Sequence, residues 1–337
     1  MSQIYFMTEH GKLSESNFSF VFSDGKDKQT VFFPHDTDGI VISSKISVTG
    51  HALDLLAKEQ IPVIFTHSNF KFKSKLDYGN SENILLRIKQ YEISCNKEFA
   101  LSIAKKIVTS KIRNQLAFIR RITRKINTQA KSSVIQIKDI QRQIERANSI
   151  DVLRGLEGLA SREYFSIIKD NINPQWAQFP CRSQHPPKTN VNAVLSFLYT
   201  ILAYRIEAAA HLYGLDATLG FLHANQNNRA SLVLDLIEEF RTPIADAVCC
   251  SMFNHKILTE HDFREIYDSV YSEKTIYLTE DGIKKVIAEF EKKLETQILY
   301  LPIKQRISFK KIIFEQVKQF KKVILGEERE YHGFVYK

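Results

Sequence analysis

Between Leu222 and Arg241 the sequence reads LHANQNNRASLVLDLIEEFR, placing His223 in a loop-like stretch and Asp235, Glu238 and Glu239 on the helix-like run that follows. One imidazole with carboxylates and no thiolate is the donor set of a hard or borderline divalent ion such as Mg2+ or Mn2+, whereas zinc recruits cysteine or further histidines. Such an ion neutralises a phosphodiester oxygen and orients an attacking hydroxyl or water. Neither a GxxxxGK nor an HExxH pattern occurs to compete for the chemistry. The segment alone holds too few ligands, and its spacing does not choose among the three acids.

A further acid stands out in DVLRGLEGLASREYF. Leu153, Leu156, Ala160, Tyr164 and Ile167 recur at helical spacing, and Glu157 sits beside that stripe between Gly155 and Gly158. A glycine inside a helix costs about 1 kcal/mol relative to alanine, so the pair predicts close approach of a second backbone or of a bulky ligand. The plainer alternative is an exposed glutamate beside a helix-packing notch.

Charge supplies the partner class. The chain carries a formal +9, yet residues 104–146 hold twelve bases against Asp139 and Glu145, so the rest nets minus one. Residues 302–322 carry seven more bases against Glu315. Clustered Lys and Arg release counterions when they meet phosphates, which points to nucleic acid. In QLAFIRRITRKI, helical spacing of Leu116, Ile119, Ile122 and Ile126 leaves Arg120, Arg121, Arg124 and Lys125 free to fan outward, with Arg120 and Arg124 on one helix face. Arg229 and Arg241, within and at the end of the histidine segment, complete the expected DNA-contacting set.

These groups need a frame. Residues 1 to about 80 read as β-rich: SNFSFVF, KQTVFFP and DGIVISS are aromatic and β-branched runs separated by turn chemistry, followed by a helix from Gly50 to about Gln60 and a strand from Pro62 to Phe65. From Ser81 onward the periodicity is helical. The expected fold is α+β, a small N-terminal β-rich domain (1–80) followed by a larger all-α catalytic domain (81–337), hinged near residues 73–83. Residues 171–190 read as one long loop, and the acid-bearing helix as starting near Asn227 or Asn228 with its acids on a solvent face. At 337 residues and 44% hydrophobic content, each domain can build a core. The apolar stretch 189–204 falls short of a membrane span and reads as a buried helix. The N-terminus lacks secretory character, so an intracellular, cytoplasmic address is expected. Cys95, Cys181, Cys249 and Cys250 read as reduced, buried thiols.

GLEGLASREYF, NVNAVLSFLYTIL and LGFLHANQNNRASLVLDLIEEFRTPIAD, with ALDLLAKEQIPVIF and LLRIKQY before them, resemble in order and spacing the CRISPR-associated spacer-acquisition integrase, the Cas-one family. The resemblance runs from about residue 30 to 250. It implies a dimerising β domain, an α-helical catalytic domain, and a divalent metal, Mg2+ or Mn2+, held by Glu157, His223 and a second acid. Glu238 is the expected choice, with Asp235 and Glu239 as runners-up. It further implies a homodimer that joins a short incoming DNA duplex to a CRISPR repeat by 3′-hydroxyl attack, acting with a small dimeric Cas-two protein and no membrane. The residues alone also admit a non-catalytic nucleic-acid-binding scaffold. Two departures stand out: Thr189-Asn190 where the family often has Asp-Pro, and Ser161 where alanine is common.

Overall fold

Short runs of alternating aromatic and aliphatic residues in the first part of the chain form two four-stranded sheets around one α-helix. The computed structural model describes all residues except 1, 9, 26–28, 44, 68–69, 71, 77, 79–83, 124–127, 184–186, 228, 269–272 and 337. The strands are β1 (Ser2–Phe6), β2 (Gly11–Ser16), β3 (Ser19–Ser23), β4 (Gln29–Phe32), β5 (Thr37–Ser43), β6 (Ile46–Val48), β7 (Val63–Thr66) and β8 (Phe72–Lys75), with α1 (Gly50–Lys58) between β6 and β7. One sheet has the order β1-β5-β7-β8 and the other β4-β3-β2-β6. Leu13, Phe20, Ile40, Ile42 and Leu56 are fully enclosed between them. The Thr49 side chain accepts from the Ala52 N–H to cap α1. Four of the eight strands, β1, β2, β6 and β8, lie outside or almost outside the runs picked out by β-propensity, because SQIYF, GKLSES, ISV and FKSK are short and part polar.

The rest is mostly helical: α2 (Ile84–Ser94), α3 (Lys97–Ile122), α4 (Thr128–Arg146), α5 (Ile150–Lys169), α6 (Asn190–Leu212), α7 (Ser231–Phe240), a π-helical turn (Arg241–Asp246) and α8 (Ala247–Asn254). Then come the ribbon β9 (Phe263–Asp268) with β10 (Glu273–Leu278), α9 (Glu280–Leu294), the ribbon β11 (Gln297–Tyr300) with β12 (Gln305–Ser308), and α10 (Phe309–Leu325). The backbone divides into two compact units, 1–87 with 207–215, and 88–206 with 216–337. The α+β order of a β-rich N-terminal part and a larger, mostly helical part is the one expected, with the two ribbons as an addition. They pair four to six residues each, too short to break the helical periodicity around them.

Other expectations change. Helix α7 begins at Ser231, after Ala230, and nine of its ten residues are buried, so its acids do not face water. Helix α3 stops at Ile122, where Thr123 is extended, and the expected contacts Arg124 and Lys125 lie outside the described residues. Helix α6 runs 23 residues and is, among the described residues, the one helix long and apolar enough to cross a membrane; 67% of its apolar window is buried in protein. Cys249 and Cys250 are buried as expected, whereas Cys95 and Cys181 are exposed.

Candidate active site

Ser149 caps α5, accepting from the Val152 N–H, and the helix buries Leu153, Leu156, Ala160, Tyr164 and Ile167 as the spacing requires. Glu157 projects from its edge. A Cβ built at Gly155 or Gly158 would meet nothing, so no second backbone approaches there; Gly158 instead lines a cavity of about 450 Å³. The glycines leave room rather than fill a tight crossing.

Glu157 and Glu238 converge on one cation. The Lys111 ammonium, from the middle of α3, donates to Glu157 Oε1 and lies 2.6 Å from Glu238 Oε2. Arg241 adds a second contact to Glu238, 3.1 Å from Oε1, and its guanidinium lies over the Tyr199 ring at 4.6 Å. The Ser161 hydroxyl donates to Glu157 Oε1 at 2.8 Å, so the departure from alanine touches the acid directly. Burial would raise the Glu157 carboxyl, but the Lys111 charge, hydrogen bonds from Lys111 and Ser161, and Arg241 bring it down to about 2. Burial would lower the Lys111 ammonium; Glu157 and Glu238 outweigh it and hold the pKa above its ordinary value. Glu157 is thus ionised beside a positive charge.

His223 is fixed by a different acid. Asp235, fully buried, accepts the backbone N–H groups of Phe221, Leu222 and His223, and its Oδ1 lies 2.7 Å from His223 Nδ1. Gly220 allows the loop to sit against α7, since a Cβ there would come within 2.9 Å of three Ser231 atoms. Arg154, one turn before Glu157, donates to the Leu222 carbonyl at 2.7 Å and ties the loop to α5. A carboxylate on Nδ1 is the arrangement that orients a metal-binding imidazole through Nε2.

Glu239 faces elsewhere. It accepts from the Phe334 N–H at 2.8 Å and from Gln316 Nε2 at 3.1 Å, and burial pushes its carboxyl up to about 7 against those hydrogen bonds. The three acids of DLIEEFR therefore serve three separate partners: the histidine loop, the lysine, and the segment near Phe334.

The donor chemistry fits a hard divalent ion. Two carboxylates already flank a cation, and Glu238 Oε2, buried without a hydrogen bond among the described residues, meets the Lys111 charge. Among the described residues, no three His, Cys, Asp or Glu side chains stand close enough to hold one ion in this arrangement. Lys111 stands between Glu157 and Glu238, and His223 pairs with Asp235.

Arg162, Arg182, Tyr199 and Arg241 line the cavity beside Glu157. The Tyr199 hydroxyl donates to Asp246 at 2.6 Å and Tyr164 to the same carboxyl at 2.8 Å, so Asp246 in the π-helical turn anchors the ring beneath Arg241. Of the expected DNA-contacting residues, Arg120 is exposed beside Lys138 and Arg142, Arg121 is exposed but engaged with Tyr336, Arg229 bonds Gln226 at 3.4 Å, and Arg241 belongs to the carboxylate site. Lys111 was counted in the sequence only as one base in a run. Ile103 and Ile107 precede it at four-residue steps, which puts position 111 on the buried face of α3 and was the available signal.

The model of the CRISPR associated protein Cas1 family matches residues 4–292. The chain belongs to that family. Among Cas1 relatives, a "CRISPR-associated endonuclease Cas1 3" of Thermus thermophilus is 31% identical over 295 residues, covering 88% of this chain and 85% of the relative. Among solved structures, a casposase bound to integration product is similar over 100% of this chain and 95% of its own, with a TM-score of 0.86 at 22% identity. A Cas6-RT-Cas1–Cas2 complex gives a TM-score of 0.85 at 22% identity; all of this chain is covered, but only 36% of that one. At these identities the structural likeness speaks for the Cas1 fold, a β-rich N-terminal region followed by a mostly helical one.

Proposed function

We propose that this Cas1-family chain is the metal-dependent DNA endonuclease and integrase of CRISPR adaptation. A 3′-hydroxyl of a short incoming duplex attacks the phosphorus of a phosphodiester at the edge of a CRISPR repeat, and the bond to the repeat strand's own 3′-oxygen breaks. The observation that carries this reading is the convergence of Glu157 and Glu238, from different helices, on one positive charge beside an arginine-lined cavity. Membership of a family whose relatives are named endonucleases, and likeness to a casposase bound to integration product, support it.

Glu157, His223 and Glu238 would hold Mg2+ or Mn2+, which supplies charge neutralisation at the phosphate and an acidified, oriented attacking hydroxyl. The chain's own groups do the rest. Asp235 keeps the His223 proton on Nδ1 and leaves Nε2 as a donor pair. Lys111 and Arg241 place fixed positive charge where the pentacoordinate phosphorus gathers negative charge. Arg162 and Arg182 receive the backbone next to it. Double-stranded DNA, a second copy of the chain and a Cas2 dimer are the proposed partners, the last supported by the Cas1–Cas2 complex among the structural neighbours.

The test is strand transfer and nicking of a repeat-containing duplex with Mg2+, with Mn2+ and with EDTA. Joining that requires either ion and stops in EDTA is expected. Activity indifferent to chelation, or DNA binding with no chemistry under any condition, overturns the reading in favour of a scaffold.

A further inference from the structure

We infer that the segment Tyr331–Tyr336 is a positioning strap for the carboxylate–lysine centre, an inference that rests on the proposed function for its link to metal. The segment lies beyond the part of the chain that matches the family model. It has no regular secondary structure, yet Tyr331 and Phe334 are buried.

Its contacts fall on the neighbours of the charged residues. On α3, Asn114 stands one turn after Lys111; its Nδ2 donates to the Phe334 carbonyl at 2.9 Å and to the Glu239 carbonyl at 2.8 Å, while its Oδ1 accepts the Tyr336 N–H at 2.7 Å. On α7, Glu239 directly follows Glu238 and accepts the Phe334 N–H. The Phe334 ring stacks on Phe240 at 5.2 Å, and Tyr336 lies under Arg121 at 4.1 Å. Gly333 passes so close that a Cβ there would fall inside the Ser110 hydroxyl and 2.9 Å from Glu239 Oε1. Ser110 is the residue before Lys111.

Apolar cover alone would let two helices slide or roll on one another. Hydrogen bonds from strap backbone to Asn114 and Glu239 do not, because they are lost when either helix shifts by one residue, and one residue turns an α-helical side chain by about 100°. The strap thus fixes how α3 presents Lys111 and how α7 presents Glu238. Asn114, Glu239 and Phe334 are positioning residues; none of them is proposed to touch DNA or metal.

Gly333→Val in the full chain tests this, since it forces the strap off Ser110 and Glu239 without altering the charged centre. Three quantities are read: hydrogen exchange at α7 amides, Mn2+ affinity by calorimetry without DNA, and strand joining. Expected are faster exchange across Ile237–Phe240, Mn2+ binding and turnover each reduced about tenfold, as for lost orienting contacts at metal sites, and duplex affinity within twofold. If circular dichroism shows that this variant does not fold, Phe334→Ala is read in its place. Faster exchange at Phe334 and Tyr336 with unchanged exchange at α7 and unchanged Mn2+ affinity overturns the strap. Wild-type protein that binds no Mn2+ defeats the functional reading instead, and exchange at α7 then decides the strap by itself.

Discussion

Asp235 holds His223 at both ends, with one carboxylate oxygen 2.7 Å from Nδ1 and 2.8 Å from the backbone nitrogen of the same residue. An acid spent on four donors in this way orients a ligand and is poorly placed to be one. On the proposed reading Glu238, with an oxygen that meets Lys111 and no hydrogen-bond donor, is the better third ligand, the choice the family resemblance implies.

Alanine at Glu157, His223 or Glu238 should therefore abolish strand joining to a similar extent and leave duplex affinity measured in EDTA unchanged or, for the two glutamates, slightly higher, an acid having been removed near phosphate. Asp235→Asn should reduce turnover by only about 10- to 100-fold, the usual cost of a lost orienting partner. Comparing single-turnover rates of the four variants checks this. Full activity in Glu238→Ala with none in Asp235→Asn would exchange their roles.

Lys111→Met leaves the buried Glu238 and the half-buried Glu157 facing each other without the charge between them, with Arg241 on Glu238 alone. Removing one member of a buried ionic cluster costs about 3–5 kcal/mol, so melting in EDTA should fall sharply. Mn2+ should restore more of the lost stability in this variant than it adds to the wild type, because ligand binding to the folded state stabilises by mass action. Equal Mn2+-induced shifts in melting temperature for both proteins would show that the lysine and the ion do not share the site.

Binding of duplex DNA should weaken with salt, with a slope of log K against log salt near minus 5 if about six phosphates are neutralised. Arg120→Ala with Arg124→Ala should flatten that slope by up to about 2, equally for all sequences. Arg121→Ala should do less to the slope and more to stability, since its guanidinium is engaged with Tyr336. Fluorescence anisotropy across a salt series separates these outcomes, and an unchanged slope in the double variant would move the phosphate contact to the basic run at 304–322.

Acid stability depends on Asp262. Burial would raise its carboxyl, but hydrogen bonds from Lys285 and Thr259 and the Lys285 charge hold it below the ordinary carboxylate range. A depressed folded-state pKa contributes stability that is fully present above the unfolded value near ~4 and is lost as pH falls through the folded value. Asp262→Ala should lower stability by ~1 kcal/mol at neutral pH, as for a lost helix-capping group, with the difference from wild type shrinking toward strongly acidic pH. A difference that stays constant down to the acid transition would contradict the linkage.

How far residue types alone carried the structure differs from place to place. Helix α5 was readable as a helix because its stripe from Leu153 to Ile167 is unbroken, while its capping residue Ser149 came only with the structure. The strands β3, β4, β5 and β7 were readable for the same reason in a period of two, whereas β1, β2 and β8 offered too little alternation. The fate of the acids on α7 was not readable. An amphipathic pattern predicts that they face water, and only tertiary structure supplies the lysine, the histidine loop and the Phe334 segment that bury them one by one. Helix α3 ran on too far in the sequence reading because Ile126 keeps the spacing of Ile119 and Ile122, though the backbone turns extended at Thr123.

The centre formed by Glu157, Glu238, Lys111 and Arg241 brings together two acidic and two basic side chains, so its formal charges balance. On the proposed reading, a divalent ion entering it creates an excess of positive charge in a partly buried place, and a phosphodiester is the group that removes that excess. Ion and DNA then favour each other's binding by the same factor, in whichever order they arrive. On that reading a balanced cluster would hold a metal more weakly between encounters and more firmly once a target strand lies across it, tying readiness for cleavage to the presence of something to cleave.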